Sequence, residues 1–386
     1  MRIYMDNASS APVDKRVIEA MLPYFDTHVG NPTSLHSSGI DARRALENAR
    51  ESVASLIKAQ SKEIIFTSGG TESNNIALRG AAQRNKKKGN HIIITAIEHM
   101  SVVNTCKDLQ REGFEVTTVP VDKYGLVDQV RMEAEITNRT IIISCQYANS
   151  EIGTIQPIAQ IGAMTREQDI IFHVDAVAAA GKIHIDVQQD NIDLLSISSN
   201  DLYGPRGVGA LYVRSGILLR PVMTGGGQER GLRSGSENIP AIVGMGKACE
   251  ITKEEIKSDS GRMEYLRERL IEGVLGNMQH AYLTGHRTRR LPHIASYRFS
   301  FIEGESIILS LNDFGIEAST GSACSVKTLE PSHVLIAIGL RPEEAHGSLL
   351  LSLNRWNTEE EVDYVLESLP LVVDRLRALS PLYNGD

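Results

Sequence analysis

The sequence predicts an α/β protein: a large domain on a mixed, mainly parallel sheet, joined to a smaller α+β domain at its C-terminal end. Three observations carry this. From about residue 63, short β-rich runs alternate with helical stretches, the pattern of right-handed strand–helix–strand crossovers. Several runs are apolar throughout, as parallel strands covered on both faces are. Past residue 250 the alternation stops and a long charged helix opens a different mixture of elements.

The expected strands of the large domain are EIIFT (63–67), HIIITA (91–96), FEVTTVPV (114–121), TIIISCQ (140–146), DIIFHVDA (169–176) and IDLLSIS (192–198). Between them NNIALRGAAQRNKKK, SVVNTCKDLQREG and IAQIGAMTREQ read as helices. A further strand, RGVGALYV, follows the elbow SISSNDLYGP. The charged helix spans about 252–277, with apolar positions at helical spacing. Then come a strand (ASYRFSFI), a helix (SIILSLNDF), a Gly/Ser loop (ASTGSACS) and a strand (LLLSLN). A final helix opens on Thr358 as N-cap, with three acids in its first turn. Residues 13–250 are therefore expected to form the large domain, and residues 1–12 with 251–386 the small one.

Length and composition fit this division. The chain has 386 residues, enough for two cores, with 41% hydrophobic and 23% charged residues. A net charge of -8 with interspersed acids and bases argues against nucleic acid or an anionic membrane as partner. No run approaches the ~18 apolar residues of a membrane span, and no apolar signal region opens the sequence. A cytoplasmic location is expected. The four cysteines, Cys106, Cys145, Cys249 and Cys324, form no CxxC, so neither a zinc knuckle nor a disulfide framework is indicated.

Three stretches carry chemistry. TSGGTESNN (67–75) places a glycine pair, Gly69 and Gly70, at a strand-to-helix turn followed by Thr71. Such a turn presents backbone N–H groups and a helix N-terminus to an anion, or is simply a turn capped by Thr71. Asp175 ends an otherwise apolar strand, where an unpaired carboxylate is costly. A cationic ring nitrogen is one partner for it, and the cap of the following helix is the other. His99 sits at the end of another strand and, taken alone, reads as a helix-cap or core histidine. In TGSACS (320–325) small residues flank Cys324, which marks an exposed loop, and nearby Lys327 favours the thiolate. Cys106, Cys145 and Cys249 read as small core residues.

Together these stretches resemble the cysteine desulfurases, enzymes of the class V aminotransferase fold (fold type I) that use pyridoxal phosphate. The resemblance runs almost end to end: YMDNASSAP, GNPTSLHSSG, TSGGTESNN, the IEH of His99, NSEIGTIQP, HVDA, LYGPRGVGALYVR, GGGQERGLRSGSENIPAIVG, EASTGSACS, LEPSHVL and NTEEEVDYV. It implies that Gly70, Thr71 and Ser198 bind the coenzyme phosphate, that His99 stacks on its ring, and that Asp175 pairs with its pyridinium nitrogen. It implies that Ser236 reaches the phosphate of the other subunit of a homodimer. Cys324 falls at the sulfur-accepting cysteine, which becomes a persulfide.

The same resemblance exposes departures. The family elbow reads Ser-x-His-Lys, and its lysine tethers the coenzyme. Here the places are Ser198, Ser199, Asn200 and Asp201. A carboxylate cannot condense with an aldehyde or shuttle protons as an amine does, and Asn200 carries no positive charge. Ser150 stands for an asparagine, Ala178 for a glutamine that bonds the ring hydroxyl, and Leu350 for the arginine that grips the substrate carboxylate, although Arg355 remains. Lys182 lies at a place where the family also has a lysine, so it is a poor substitute for the missing one.

Two functions follow from different classes. The first is a binding role in iron–sulfur cluster biogenesis beside a small scaffold protein. There Cys324 carries a persulfide or supplies one ligand of a [2Fe–2S] cluster whose other thiolates come from the partner. The alternative is an enzyme, converting cysteine to alanine and persulfide with noncovalently bound pyridoxal phosphate. A third reading, a relic that takes another phosphorylated ligand at Gly70 and Thr71, names no ligand.

Overall fold

The computed structural model describes residues 2–321 and 331–383. Seven strands form the central sheet: β2 (Ile64–Thr67), β3 (His91–Thr95), β4 (Glu115–Val119), β5 (Thr140–Ser144), β6 (Ile171–Asp175), β7 (Leu194–Ser198) and β8 (Gly209–Val213). Their order is β2-β8-β7-β6-β5-β3-β4. Only β8 runs antiparallel to its neighbours, β7 and β2. Residues 199–208 join β7 to β8 through a tight elbow, too short for the helical crossover that a parallel return needs.

Alternation along the strands sends side chains to two cores. Ile64, Phe66, Ile93, Ile143, Leu195, Ile197, Ala210 and Tyr212 join one cluster. Ile65, Ile92, Ile94, Ile142, Leu194, Leu211 and Val213 join the other. A period of two, with both phases apolar, is what a sheet covered on both faces requires. The helices of this part are α1 (Lys15–Met21), α2 (Ser37–Leu56), α3 (Gly70–Asn85), α4 (Met100–Arg111), α5 (Gln129–Ala134) and α6 (Ile158–Glu167). The apolar residues of α3 and α4 pack in the second cluster, those of α2 and α6 in the first.

The charged helix is longer than the sequence suggests. It is α7 (Ile239–Asn277), opened by Asn238, whose side chain accepts from the Ala241 amide at 3.2 Å, and by Pro240 in the first turn. The apolar residues of 239–251, such as Ile239, Ile242, Met245 and Ile251, pack in the first cluster, while Met263, Leu266, Leu270 and Val274 pack in a third. No proline follows Pro240 within it, and one helix passes from one core to the next.

That third core holds a two-stranded sheet, β1 (Ile3–Tyr4) with β11 (Ile316–Glu317), and a three-stranded sheet in the order β12-β10-β9. These strands are β9 (Ala281–Leu283), β10 (Ile294–Phe299) and β12 (Ser348–Ser352). Helices α8 (Gly304–Asp313) and α11 (Glu359–Leu379) pack on them; the short α9 (His333–Ala337) and α10 (Pro342–Ala345) precede β12. Thr358 and Glu361 form a capping box at the start of α11. Among the described residues no helix is long and apolar enough to cross a membrane, and no group of His, Cys, Asp and Glu could hold a metal ion.

Candidate functional site

A cleft of about 800 Å³ opens where β2, β3, β5, β6 and β7 run out at their C-terminal ends. Ligand sites of open α/β sheets lie at this edge. Each strand contributes its following loop: Gly70 and Thr71 after β2, Glu98 and His99 after β3, Ser150 and Glu151 after β5, Val177 and Ala178 after β6, Asn200 and Asp201 after β7. Asp175 and Ser198 are the last residues of β6 and β7, and Leu350 closes the floor from β12. The cleft thus gathers Gly70, Thr71, His99, Ser150, Asp175, Ala178, Ser198, Asn200, Asp201 and Leu350. Ser236 lies elsewhere, exposed on the loop before α7. Cys324 lies outside the described residues; Gly321 and Pro331, on either side of its segment, line the cleft.

The phosphate-type turn is built as its glycines suggest. Gly69 has φ of 150°, and a Cβ on Gly70 would sit 2.5 Å from Val177 Cγ2, so a larger residue would fill the cradle. Helix α3 starts there, and its first two residues, Gly70 and Thr71, line the cleft, so its N-terminus borders an anion-sized turn. Glu72 caps the Ser68 amide and pairs with Arg233 at 3.1 Å, which offsets its charge beside an anion site.

Asp175 is held by two donors: the Asn74 side chain reaches Oδ2 at 2.7 Å and the Val177 amide reaches Oδ1 at 3.0 Å. Asn74 also donates to Ser101 Oγ at 2.8 Å, and Ser101 Oγ lies 2.7 Å from His99 Nδ1, so aspartate, asparagine, serine and histidine form one chain. His99 is also the N-cap of α4, accepting from the Ser101 amide at 3.1 Å. Both sequence readings of His99, cap and cleft residue, therefore coexist.

Asp201 opens partly on the cleft while protein surrounds the rest of it. Burial pushes its carboxyl up to about 6, against the opposing pull of Lys182 and of the Asn200 side chain, with Asp175 adding to the rise. The Lys182 ammonium is committed elsewhere. It donates to the main-chain carbonyl of Asp201 at 2.7 Å and sits 4.1 Å above the Tyr203 ring. Arg355 covers the same ring at 4.4 Å and pairs with Asp14, Glu255 and Asp259 at 3.4, 3.0 and 2.9 Å. It is buried and outside the cleft, so it does not take over the anion contact that Leu350 cannot make.

Several cleft residues escaped the sequence reading. Glu98 is fully buried and accepts from Thr95 Oγ1 at 2.5 Å and the Gln146 amide at 2.9 Å. Burial raises its carboxyl to about 8. Glu151 is raised to about 7, again by burial, and accepts from Ser332. Asn74, Gln146, Asn149 and His333 complete the wall. All lie inside or beside the quoted motifs, but no spacing rule tells which side chain of a loop faces inward.

Glu98 gives a pH prediction. Its folded value exceeds its unfolded value, so the native state holds an extra proton between about 4.5 and about 8. Stability therefore falls as pH rises through that window. Glu98→Gln, an isostere of the protonated acid, removes up to one proton's worth of that slope. Urea denaturation at pH 5.5 and 7.5 should show a smaller difference for the variant than for the parent; an unchanged difference contradicts the assignment.

Pyridoxal phosphate fits this cleft in part. The α3 turn suits the phosphate and Asp175 the ring nitrogen. The buried, unpartnered Asn74 Oδ1, Asn200 Oδ1 and Glu98 Oε2 offer polar contacts. The aldehyde finds no amine at Asp201, and the only lysine among the described residues lining the cleft, Lys107, is exposed on α4.

With these features in place, the comparisons identify the class. The chain belongs to the aminotransferase class-V family, whose sequence model matches residues 3–365. Among its relatives, "Cysteine desulfurase IscS 1" of Archaeoglobus fulgidus is 57% identical over 381 residues, covering 99% of both chains. "Cysteine desulfurase IscS" of Methanosarcina thermophila is 51% identical over 98% of this chain and 94% of its own. The solved structure of a "NifS-like protein" superposes with a TM-score of 0.92 at 39% identity, over 97% of this chain and 100% of that one.

Proposed function

We propose that this chain serves iron–sulfur cluster biogenesis as a cysteine-desulfurase homologue whose coenzyme chemistry is lost or badly impaired, and that the Cys324 loop carries the remaining function. One observation supports this above all: in a cleft that keeps the phosphate turn, Asp175 and His99, the position expected of the tethering amine is an acid, Asp201. The coenzyme, where bound, supplies an electron sink for the substrate carbanion. Gly70, Thr71 and Ser198 would hold its phosphate, Asp175 its ring nitrogen and His99 its face. No side chain at Asp201 could tether it or move a proton as an amine does. Leu350 leaves a substrate carboxylate without its cation.

The loop thiol works without that chemistry. As a carrier, the Cys324 thiolate takes the outer sulfur of a donor persulfide, and the donor leaves as a thiolate with no net oxidation. As a ligand, it supplies one thiolate to a [2Fe–2S] cluster whose remaining ligands belong to a small scaffold protein. A homodimer places Ser236 of each subunit near the other's cleft; its exposure supports that reading. Cys324→Ser, studied in complex with the scaffold protein, should abolish sulfur transfer and reduce cluster content by at least half. Unchanged transfer and unchanged cluster content together would remove the loop from the account.

A further inference from the structure

The cleft holds four carboxyl groups: besides Glu98 and Glu151, which accept from Thr95 and Ser332, Asp175 at the end of β6 and Asp201 after β7 open on one space, with the N-terminus of α3 as a third anchor. A ligand suited to all three carries an anion at one end and two cationic nitrogens. Asp175 has its two donors, Asn74 and the Val177 amide. Asp201 has no ion pair to its carboxylate among the described residues, because Lys182 bonds the main-chain carbonyl instead. The Asn200 side chain bonds that carboxyl, but no cation of the described residues pairs with it directly, so it can still take one from a ligand.

We propose that the cleft binds the 4′-amine form of the coenzyme, pyridoxamine 5′-phosphate, noncovalently, with Asp201 pairing to the ligand's 4′-ammonium. This rests on the reading that Asp201 stands where a tethering lysine would. The chemistry is an inversion of that tether. The Asp201 side chain ends two atoms short of a lysine's, which leaves room for one nitrogen at the coenzyme's 4′ carbon. In the lysine arrangement that nitrogen belongs to the protein; here it belongs to the ligand, and an ion pair replaces the covalent bond. The aldehyde form offers Asp201 neither charge nor donor. The 4′-hydroxymethyl form offers only a neutral donor, and hydrogen bonds assisted by charge on both partners are the stronger ones. Asp175 takes the protonated ring nitrogen and the α3 turn takes the phosphate, so each charge on the ligand meets its opposite.

The pairing has a pH signature of its own. The charged groups acting on Asp201 are Lys182 from the loop after β6 and Asp175 from β6; Asp259 on α7 lies near Lys182, and Glu98 after β3 and Glu151 after β5 line the same cleft, so the Asp201→Asn comparison separates their titration from that of Asp201. Below about 6 the Asp201 carboxylate protonates while the ligand amine stays charged, so the preference for the amine form must shrink.

The test is calorimetric titration of the purified full chain with pyridoxamine 5′-phosphate, pyridoxine 5′-phosphate, pyridoxal 5′-phosphate and inorganic phosphate, at pH 7.5 and pH 5. The amine form should bind about tenfold more tightly than the hydroxymethyl form at pH 7.5. That ratio should fall to within about threefold at pH 5. Asp201→Asn should narrow the ratio at pH 7.5 in the same way, and the pH series on the unaltered chain stands alone if this variant fails to fold. Equal affinities for the amine and hydroxymethyl forms, tightest binding of the aldehyde form, or no binding of any vitamer would overturn the proposal. Borohydride treatment of the pyridoxal phosphate sample separates the two failures. A reduced covalent adduct in the cleft defeats the untethered reading itself, whereas equal affinities without an adduct defeat only the amine preference.

Discussion

Asp201→Lys should return a tethered coenzyme to this protein. The variant, incubated with pyridoxal phosphate, is expected to gain a violet absorbance band and an adduct at residue 201 that borohydride fixes, where the parent gains neither. The Lys182 ammonium lies close by and would favour the neutral, reactive amine. Alanine release from cysteine should rise at least ~100-fold, the usual lower range for restoring a proton-transferring group. It should stay well below that of a complete site, because Leu350 still offers no cation to the substrate carboxylate. Adding Leu350→Arg should then lower the KM for cysteine, since Leu350 lines the cleft. An Asp201→Lys protein that folds but neither binds the coenzyme covalently nor releases alanine would show that the defect lies elsewhere in the pocket.

The largest effect on stability is expected at Glu229. Its carboxylate receives the Arg50 guanidinium in two parallel bonds, both 2.8 Å, and also accepts the Phe66 amide at 2.8 Å. Arg50 additionally donates to the Ile64 carbonyl at 2.9 Å, and its guanidinium lies 4.9 Å from the Phe66 ring centre. Both charges are buried. Glu229→Ala therefore leaves the Phe66 amide without its acceptor and Arg50 with only the Ile64 carbonyl and the exposed Glu47, at a cost of about 3–5 kcal/mol. The same change unties the loop that leads to Ser236 from helix α2 and strand β2. Glu47→Ala removes the other carboxylate near Arg50, 3.1 Å away but exposed, and should cost less than ~1 kcal/mol. Urea denaturation of the two variants side by side decides the point; equal losses would contradict it.

Much of the fold was legible because its signals are local. Short β-branched apolar runs such as IIIT and IIIS suit a sheet covered on both faces, and the three acids after Thr358 mark the start of α11. The direction of β8 was not legible. RGVGALYV reads as a strand either way, and only the shortness of the elbow after β7 forces it to reverse. The length of α7 was hidden as well: its first turns are apolar and its later turns charged, which looks like two elements and is one helix crossing two cores. Helix α2 (Ser37–Leu56) escaped notice because its apolar face is largely alanine.

At the site, Asp201 was legible by resemblance alone, since the motif around it is otherwise kept. What surrounds it was not. That Lys182 spends its ammonium on a carbonyl and an aromatic ring, and Arg355 on three carboxylates, depends on contacts between segments far apart in the chain. The unpartnered oxygen of Glu98 depends on the depth at which one loop residue comes to rest.

The central claim is that no amine of this protein tethers the coenzyme. It is tested most directly by incubating the purified chain with pyridoxal phosphate and cysteine, reducing with borohydride, and mapping labelled peptides while alanine is measured. The account predicts no labelled peptide from the residues lining the cleft, and alanine release no faster than with free coenzyme alone. A labelled lysine in the cleft, accompanied by rapid alanine release, would contradict it.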